Sequence, residues 1–463
     1  MKSSYLLSVL LPGIPLTSLF GKSVLPDVEK PNIVVILADD LGTHELSCYG
    51  GQNLDTPHID RLANEGVLFN HNYASSTMSV PIRASLYTGL YPVKHGSYQN
   101  HRSSYPDIKS VTHYMPEAGY RVGRSGKRHS TPVSVYDFEE IPGFEENCVS
   151  RTAHFTTDGI KEFIQRDSDQ PFCLFVCSIH PHAPWTWGNP DELDPDKLIL
   201  PPNSVDNAET RSIYRDYLAE VKSLDEEVGA VLQVLEETGE LDNTLIIFLG
   251  EQGPQFPFGK WTCYRYGQHS AFIARYPAGI EARTTSDALI QYEDILPTLV
   301  EFGGGDTNLD MDGRSFLKVL YGQKENHREW VYGIHNNIPE GTAYPIRSVQ
   351  DERYKLIVNL TPEADYFEKH LMNVNNRSQL QVWGSWLESA AANDPVALKL
   401  TERYVKRPAI EFYDLENDPW EMNNLADNEK YADRITSMKK ELEKWMVTQG
   451  DKGIAMDVAR NNE

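Results

Sequence analysis

Positive charge is in short supply in this chain. Its 43 lysines and arginines face 67 aspartates and glutamates, for a formal charge of −24 over 463 residues. A surface of that sign repels a phosphate backbone, which excludes nucleic acid as a partner. Cysteine is scarce too. Cys48, Cys148, Cys173, Cys177 and Cys263 are odd in number and scattered, so no disulfide framework follows. Cys173 and Cys177 stand in an apolar run, where a free thiol behaves as a small hydrophobe. Internal repeats and low-complexity tracts are lacking. So is any interior run of about 20 apolar residues, which excludes a membrane span there.

The N-terminus differs from the rest. Lys2 precedes the apolar stretch YLLSVLLPGIPLTSLF, and Gly21-Lys22-Ser23 follow. That order reads as a signal peptide over 1–24, and a signal peptide implies a secreted or periplasmic protein. The remaining length exceeds one ordinary core. We expect a large α/β domain over 25–330 and a smaller α+β subdomain over 331–463, with an antiparallel sheet and a terminal helix.

Asn32 to Ala38 is continuously apolar, as a central parallel strand should be. Asp39 and Asp40 end it, at the edge where open α/β sheets gather ligands. Thr56-Pro57 opens a helix, with Thr56 as N-cap and Pro57 in the first turn, and Gly66 closes it. Further buried strands read at Tyr120–Gly123, Phe172–Ser178, Thr244–Leu249 and Ala271–Arg275. A long helix reads from Ala208 to Glu237. This alternation predicts a large, mostly parallel sheet covered by helices. Beyond residue 330, Pro345–Val349 and Tyr354–Leu360 read as a hairpin. Tyr431, Ile435, Met438, Leu442 and Trp445 form one stripe of a last helix, read as core.

The segment Ser79-Val80-Pro81-Ile82-Arg83 stands out chemically. Pro81 suits a first helical turn, which places Ser79 at or just before an N-cap, among free N–H groups that welcome an anion. An ordinary serine cap would look the same. Ser79 to Gly89, however, resembles the sulfatase signature: Cys or Ser, then x-Pro-x-Arg, then a Leu-x-x-Gly ending. Ile82 stands where that family usually has Ser.

The resemblance continues along the chain. Pro31 to Asp40 looks like the family's opening strand with paired metal carboxylates, and Thr56 to Ala63 like its next helix. Gly126-Lys127-Arg128-His129, Pro181-His182-Ala183-Pro184 and Gly259-Lys260-Trp261-Thr262 resemble three active-site elements. Glu411 to Ala426 resembles the C-terminal signature. An alkaline-phosphatase-like fold is implied. So is oxidation of Ser79 to formylglycine by a serine-type maturation enzyme, with catalytic roles for Ser79, Arg83, Lys127, His129, His182 and Lys260.

Attack on a sulfate ester moves charge onto the leaving oxygen, so fixed cations and a divalent ion should surround the sulfuryl group. Five side chains, Arg83, Lys127, His129, His182 and Lys260, are read as that cationic set. Asp39 and Asp40 are hard oxygen ligands suited to calcium. Glu251 and Gln252, after the strand ending at Leu249, stand where the family has Asp and Asn or His, and Ser79 completes the expected ligand set. The family mechanism is covalent: hydrated formylglycine attacks sulfur, His182 or Lys260 protonates the leaving alcohol, and the second hydroxyl expels sulfate. His95, His101, Arg265 and His269, in neighbouring loops, are candidates for contact with the sugar.

Within the family the resemblance points to the branch of heparan N-sulfatase and bacterial glycosaminoglycan sulfatases. The expected substrate is a sulfated saccharide, an ester or an N-sulfate, cut in an exo manner from short oligosaccharides. A phosphatase or phosphonate hydrolase of the same superfamily, or an inactive glycan binder, is the alternative.

Overall fold

We describe a computed structural model covering Met1 and residues 30–150, 154–375 and 381–456. The signal-peptide segment lies outside the described residues. Asn32–Ala38 is a strand with every residue buried. It sits near the middle of an eight-stranded sheet. In spatial order the strands are Thr284–Ser286, Val67–Phe69, Phe272–Arg275, Thr244–Gly250, Asn32–Ala38, Phe172–Cys177, Arg121–Gly126 and Glu139–Glu140. Asn32–Ala38 runs parallel to both neighbours, with Leu37 level with Cys177 on one side and Leu249 on the other. Phe272–Arg275 is antiparallel to the strands on either side, so the sheet is mixed.

Such strands need cover on both faces. One face packs under Ala208–Thr238, a helix of 31 residues whose Asn207 side chain caps Thr210 N at 2.8 Å. The other packs under the helices Ser79–Thr88 and Ile295–Phe302. The helix Pro57–Glu65 follows Thr56 as the sequence indicates. The Thr56 hydroxyl donates to Asp60 at 3.2 Å instead of capping a backbone N–H. Gly66 ends that helix by lack of room: a Cβ there would lie 2.1 Å from the Ala274 carbonyl oxygen.

Beyond residue 330 the chain forms a four-stranded antiparallel sheet, Val331–His335, Ile346–Gln350, Tyr354–Asn359 and Ile410–Asp414. The last helix, Ala432–Gln449, lays Ile435, Met438, Leu442 and Trp445 on Ile334, Val349, Leu356 and Phe412. The Trp445 ring stacks on Tyr332 at 4.9 Å and meets Tyr91 edge-on at 5.2 Å. Tyr91 follows closely on the helix that carries Ser79, so this stripe is core. Among the described residues no helix is long and apolar enough to cross a membrane.

Candidate active site

Four adjacent parallel strands deliver charged side chains to one edge. Asp39 and Asp40 follow Asn32–Ala38, and Glu251 and Gln252 follow Thr244–Gly250. Lys127 follows Arg121–Gly126, and His182 lies on the loop after Phe172–Cys177. The turn that aims Lys127 requires glycine. Gly126 has φ +94°, and a Cβ there would lie 2.1 Å from the Cys177 carbonyl oxygen. Lys127 N then donates to that same oxygen at 2.9 Å. Asp40 itself sits at φ 62°, a conformation an aspartate pays to adopt.

Ser79 is the first helical residue of Ser79–Thr88, and the N-cap position belongs to extended Met78. This corrects the expected capping role. The Ser79 hydroxyl turns away from the helix and donates to Glu251 Oε2 at 2.8 Å. Lys127 Nζ donates to Ser79 Oγ at 3.1 Å and to both Asp39 oxygens at 2.6 and 2.7 Å. The side-chain cap comes from Asn100, whose Oδ1 accepts from Val80 N at 3.4 Å. Arg83, on the same helix, donates through Nε to Glu251 and lies 3.8 Å from Asp39. Lys260 Nζ donates to Asp40 at 2.7 Å. His182 Nε2 lies 3.6 Å from Asp40 Oδ2, while its Nδ1 donates to the Ala183 carbonyl at 2.6 Å.

Asp39, Asp40 and Glu251, all buried, bring one oxygen each within 4.8 Å of one another. Hard oxygens at that spacing fit a cation such as calcium. Gln252 supports the fit. Its amide donates to Asp40 and, at 2.9 Å, to Glu251, while its buried Oε1 has no donor among the described residues. Rotating the amide would present that oxygen to an ion. Three carboxylates and the three cations Arg83, Lys127 and Lys260 balance here. A divalent ion would leave the centre with two net positive charges, enough to hold a sulfate ester within an acidic protein.

Burial would lower the Lys127 ammonium's pKa, but Asp39 and Glu251 outweigh it and hold the value above the ordinary range. His129 behaves oppositely. Burial first, then Lys127 and Arg83, push its pKa down to about 2. It is therefore a neutral ring, its buried Nδ1 without a partner among the described residues, which corrects the reading of five cations.

The centre opens into a cleft of about 580 Å³. Ser79, His129, His182, Lys260 and His101 line it. His95, His269 and Arg265 do not, which removes three expected sugar contacts. His95 is fully buried, with Nε2 on the Ser85 hydroxyl at 3.2 Å and Nδ1 accepting from Ser97 N at 3.1 Å. Burial lowers its pKa to about 3. His269 spans Thr43 Oγ1 at 3.1 Å and the Asn70 carbonyl at 2.8 Å. Arg265 donates its backbone N–H to Glu421 at 2.6 Å, and its charge helps to lower the pKa of His269. The cleft also gathers Cys148, Gln255, Trp261, Glu340 and His370. Sequence reasoning missed these as site residues. Trp261 alone carried a signal, since it follows Lys260 directly.

Comparison with known proteins identifies the family. Residues 31–305 match the sulfatase family model. Residues 253–376 match the model of the C-terminal part of N-sulphoglucosamine sulphohydrolase. An ulvan-active sulfatase of Formosa agariphila is 33% identical over 91% of this chain and 81% of its own. The human N-sulphoglucosamine sulphohydrolase is 27% identical over 89% of each chain. A solved structure in complex with D-glucosamine-2-N,6-O-disulfate has a TM-score of 0.70 at 22% identity, covering 91% of this chain and 99% of that one. A phosphonate monoester hydrolase of Silicibacter pomeroyi shares the fold, with a TM-score of 0.67 at 17% identity over 91% and 96% of the two chains. The chain belongs to the sulfatase family and is a sulfuric ester hydrolase.

Proposed function

We propose that this enzyme removes sulfate from short sulfated saccharides, acting from the chain end, with formylglycine derived from Ser79 and one calcium ion. The observation that carries the reading is the position of Ser79 Oγ, hydrogen-bonded to Glu251 and Lys127 beside three converging carboxylates. Asp39, Asp40, Glu251, Gln252 and the residue at 79 would hold the ion. Calcium would supply charge stabilisation at the sulfuryl oxygens, and the oxidised side chain a hydrated carbonyl that attacks sulfur and later releases sulfate.

The chain's own groups do the rest. Arg83 and Lys127 are fixed to Glu251 and Asp39, so their charges stay aimed at one place without reorganising. His182 keeps a proton on Nδ1 because the Ala183 carbonyl accepts from it. Proton exchange with the leaving oxygen therefore falls to Nε2, or to Lys260 Nζ on the same cleft wall. The size of the cleft and the acidic exterior support short substrates over long polyanions. The Formosa and human relatives' names support ulvan-type or glucosamine-type saccharides. The N-terminal segment supports export, which N-terminal sequencing of the mature protein near residue 25 checks.

The test is a panel of sulfated monosaccharides and oligosaccharides, intact polymers, phosphate monoesters and phosphonate esters. Mass spectrometry of the tryptic peptide ending at Arg83 accompanies it. Sulfate release from short saccharides and a loss of two hydrogens at residue 79 are expected. Fully active enzyme with unmodified Ser79 would remove the formylglycine reading. Faster turnover of phosphorus esters would favour the phosphatase alternative, and faster turnover of intact polymer would reject end-wise action.

A further inference from the structure

One wall of the cleft is built differently from its charged floor. Its hub is Glu340, whose side chain is only 2% exposed. Glu340 Oε1 accepts from Asn100 Nδ2 at 2.6 Å and lies 3.6 Å from His101 Nε2. Its Oε2 accepts from His370 Nε2 at 2.6 Å and from Lys369 Nζ at 3.2 Å. A carboxylate has about four lone-pair sites, so these neighbours use nearly all of its capacity. Glu340 therefore fixes groups around it and has little left to offer a ligand.

The groups it fixes do face the cleft. His370 lies flat on Trp261, ring centroids 5.4 Å apart and 11° from parallel. Lys260 Nζ stands 5.2 Å from the Trp261 ring, which joins this aromatic step to the floor. His101 and His370 keep 55% and 35% of their side chains exposed. Their tautomers are set. Glu340 accepts from Nε2 of His370, which holds a proton there. Asn100 donates to Nε2 of His101 at 3.3 Å, which leaves that ring's proton on Nδ1. Three backbones in left-handed conformations hold the wall and its border: His101 at φ 59°, His129 at φ 40° and Trp261 at φ 66°. Such strain in non-glycine residues gathers at functional sites. Lys369 offsets the charge of Glu340 within this wall.

We infer that His101 and His370 form a subsite that reads hydroxyl groups of the sugar ring carrying the sulfate, that Trp261 backs this subsite, and that Glu340 is its positioning residue. The inference rests on the sulfated-saccharide reading and adds a ligand class: a ring with neutral polar substituents near the scissile sulfate. Fixed imidazole edges beside an aromatic plane suit hydroxyls, because they supply directional bonds next to a flat apolar surface.

The experiment compares kcat/KM for N-sulfated and 6-sulfated glucosamine and for oligosaccharides of sulfated polymers with that for 4-nitrophenyl sulfate, which has no sugar. Wild type, His101→Ala, His370→Ala, Glu340→Ala and Glu340→Asp are tested. The ratio of the best saccharide to the aryl sulfate should fall at least about thirtyfold in the three alanine variants, mainly through KM, as a lost pair of oriented hydrogen bonds predicts. Glu340→Asp should recover part of it. A ratio that stays within threefold, whether both substrates fall together or neither does, overturns the subsite while leaving the sulfatase reading intact. Wild type that releases no sulfate from any ester overturns both.

Discussion

The floor of the cleft and its wall are both polar, yet they are assembled by opposite means. The floor takes these side chains from the ends of adjacent parallel strands in one mixed sheet, so backbone pairing places Asp39, Lys127 and Glu251 together before any side chain is chosen. The wall takes His101, Trp261 and Glu340 from loops and His370 from the short helix Lys369–Met372, and one carboxylate organises the polar members. A pleated sheet gives precise placement and confines strain to the residues that leave it, such as Asp40 at φ 62°. A loop site needs its own hydrogen-bond hub. Chemistry shared by a family fits the first arrangement, and choice among sugars fits the second.

This contrast can be broken most sharply at the floor. Ser79→Ala and Lys127→Ala should each lower kcat/KM by about a thousandfold or more on every accepted sulfate ester, the scale of a lost group acting on transition-state charge. A loss below tenfold would mean that the sheet edge does not carry the chemistry. Next comes the metal. Calcium at a thousandfold excess over Kd should stabilise wild type by about 4 kcal/mol, read as a rise in Tm that chelator reverses. Asp40→Asn and Glu251→Gln should lose that response and the bound ion together. If Glu251→Gln keeps full calcium occupancy, Glu251 is not a ligand.

Away from the cleft the effects should fall on stability alone. Trp445→Ala removes a ring packed on Tyr332 and Tyr91 and should cost about 3–5 kcal/mol by denaturant midpoint, with no change in substrate ranking. The smallest effect is expected for His95→Ala and His269→Ala, about 1–3 kcal/mol each from partners left unpaired in the interior. Altered choice among saccharides in either variant would put them back on the substrate side of the comparison.

What the sequence revealed follows the same division. Asn32–Ala38, Phe172–Cys177 and Thr244–Gly250 were legible because strands covered on both faces must be continuously apolar. Their following residues, Asp39, Asp40, Glu251 and Gln252, could then be placed at one edge. His101 was legible only as a polar residue near the nucleophile. His95 sits in the same stretch and differs by burial, which no local pattern reports. Glu340 stood 240 residues from Asn100, its hydrogen-bond partner, with no periodicity to connect them. The left-handed turn at Trp261 carried no glycine to announce it. The N-cap was misplaced by one residue because Pro81 tolerates more than one position in a first turn.

The order of the strands also sets a timetable. Ser79 is 2% exposed, and its acceptor Glu251 lies 172 residues further along the chain. The central strand cannot gain its neighbour Thr244–Gly250 until that segment exists. At ribosomal speeds of about 5–20 residues per second, this interval lasts on the order of ten to thirty seconds. During it the Ser79 segment has no finished sheet edge to fold against. If Ser79 is oxidised as proposed, the enzyme that does so has that interval in which to reach it. Once residue 251 arrives, the same contacts that equip the side chain for chemistry close it to a protein-sized catalyst.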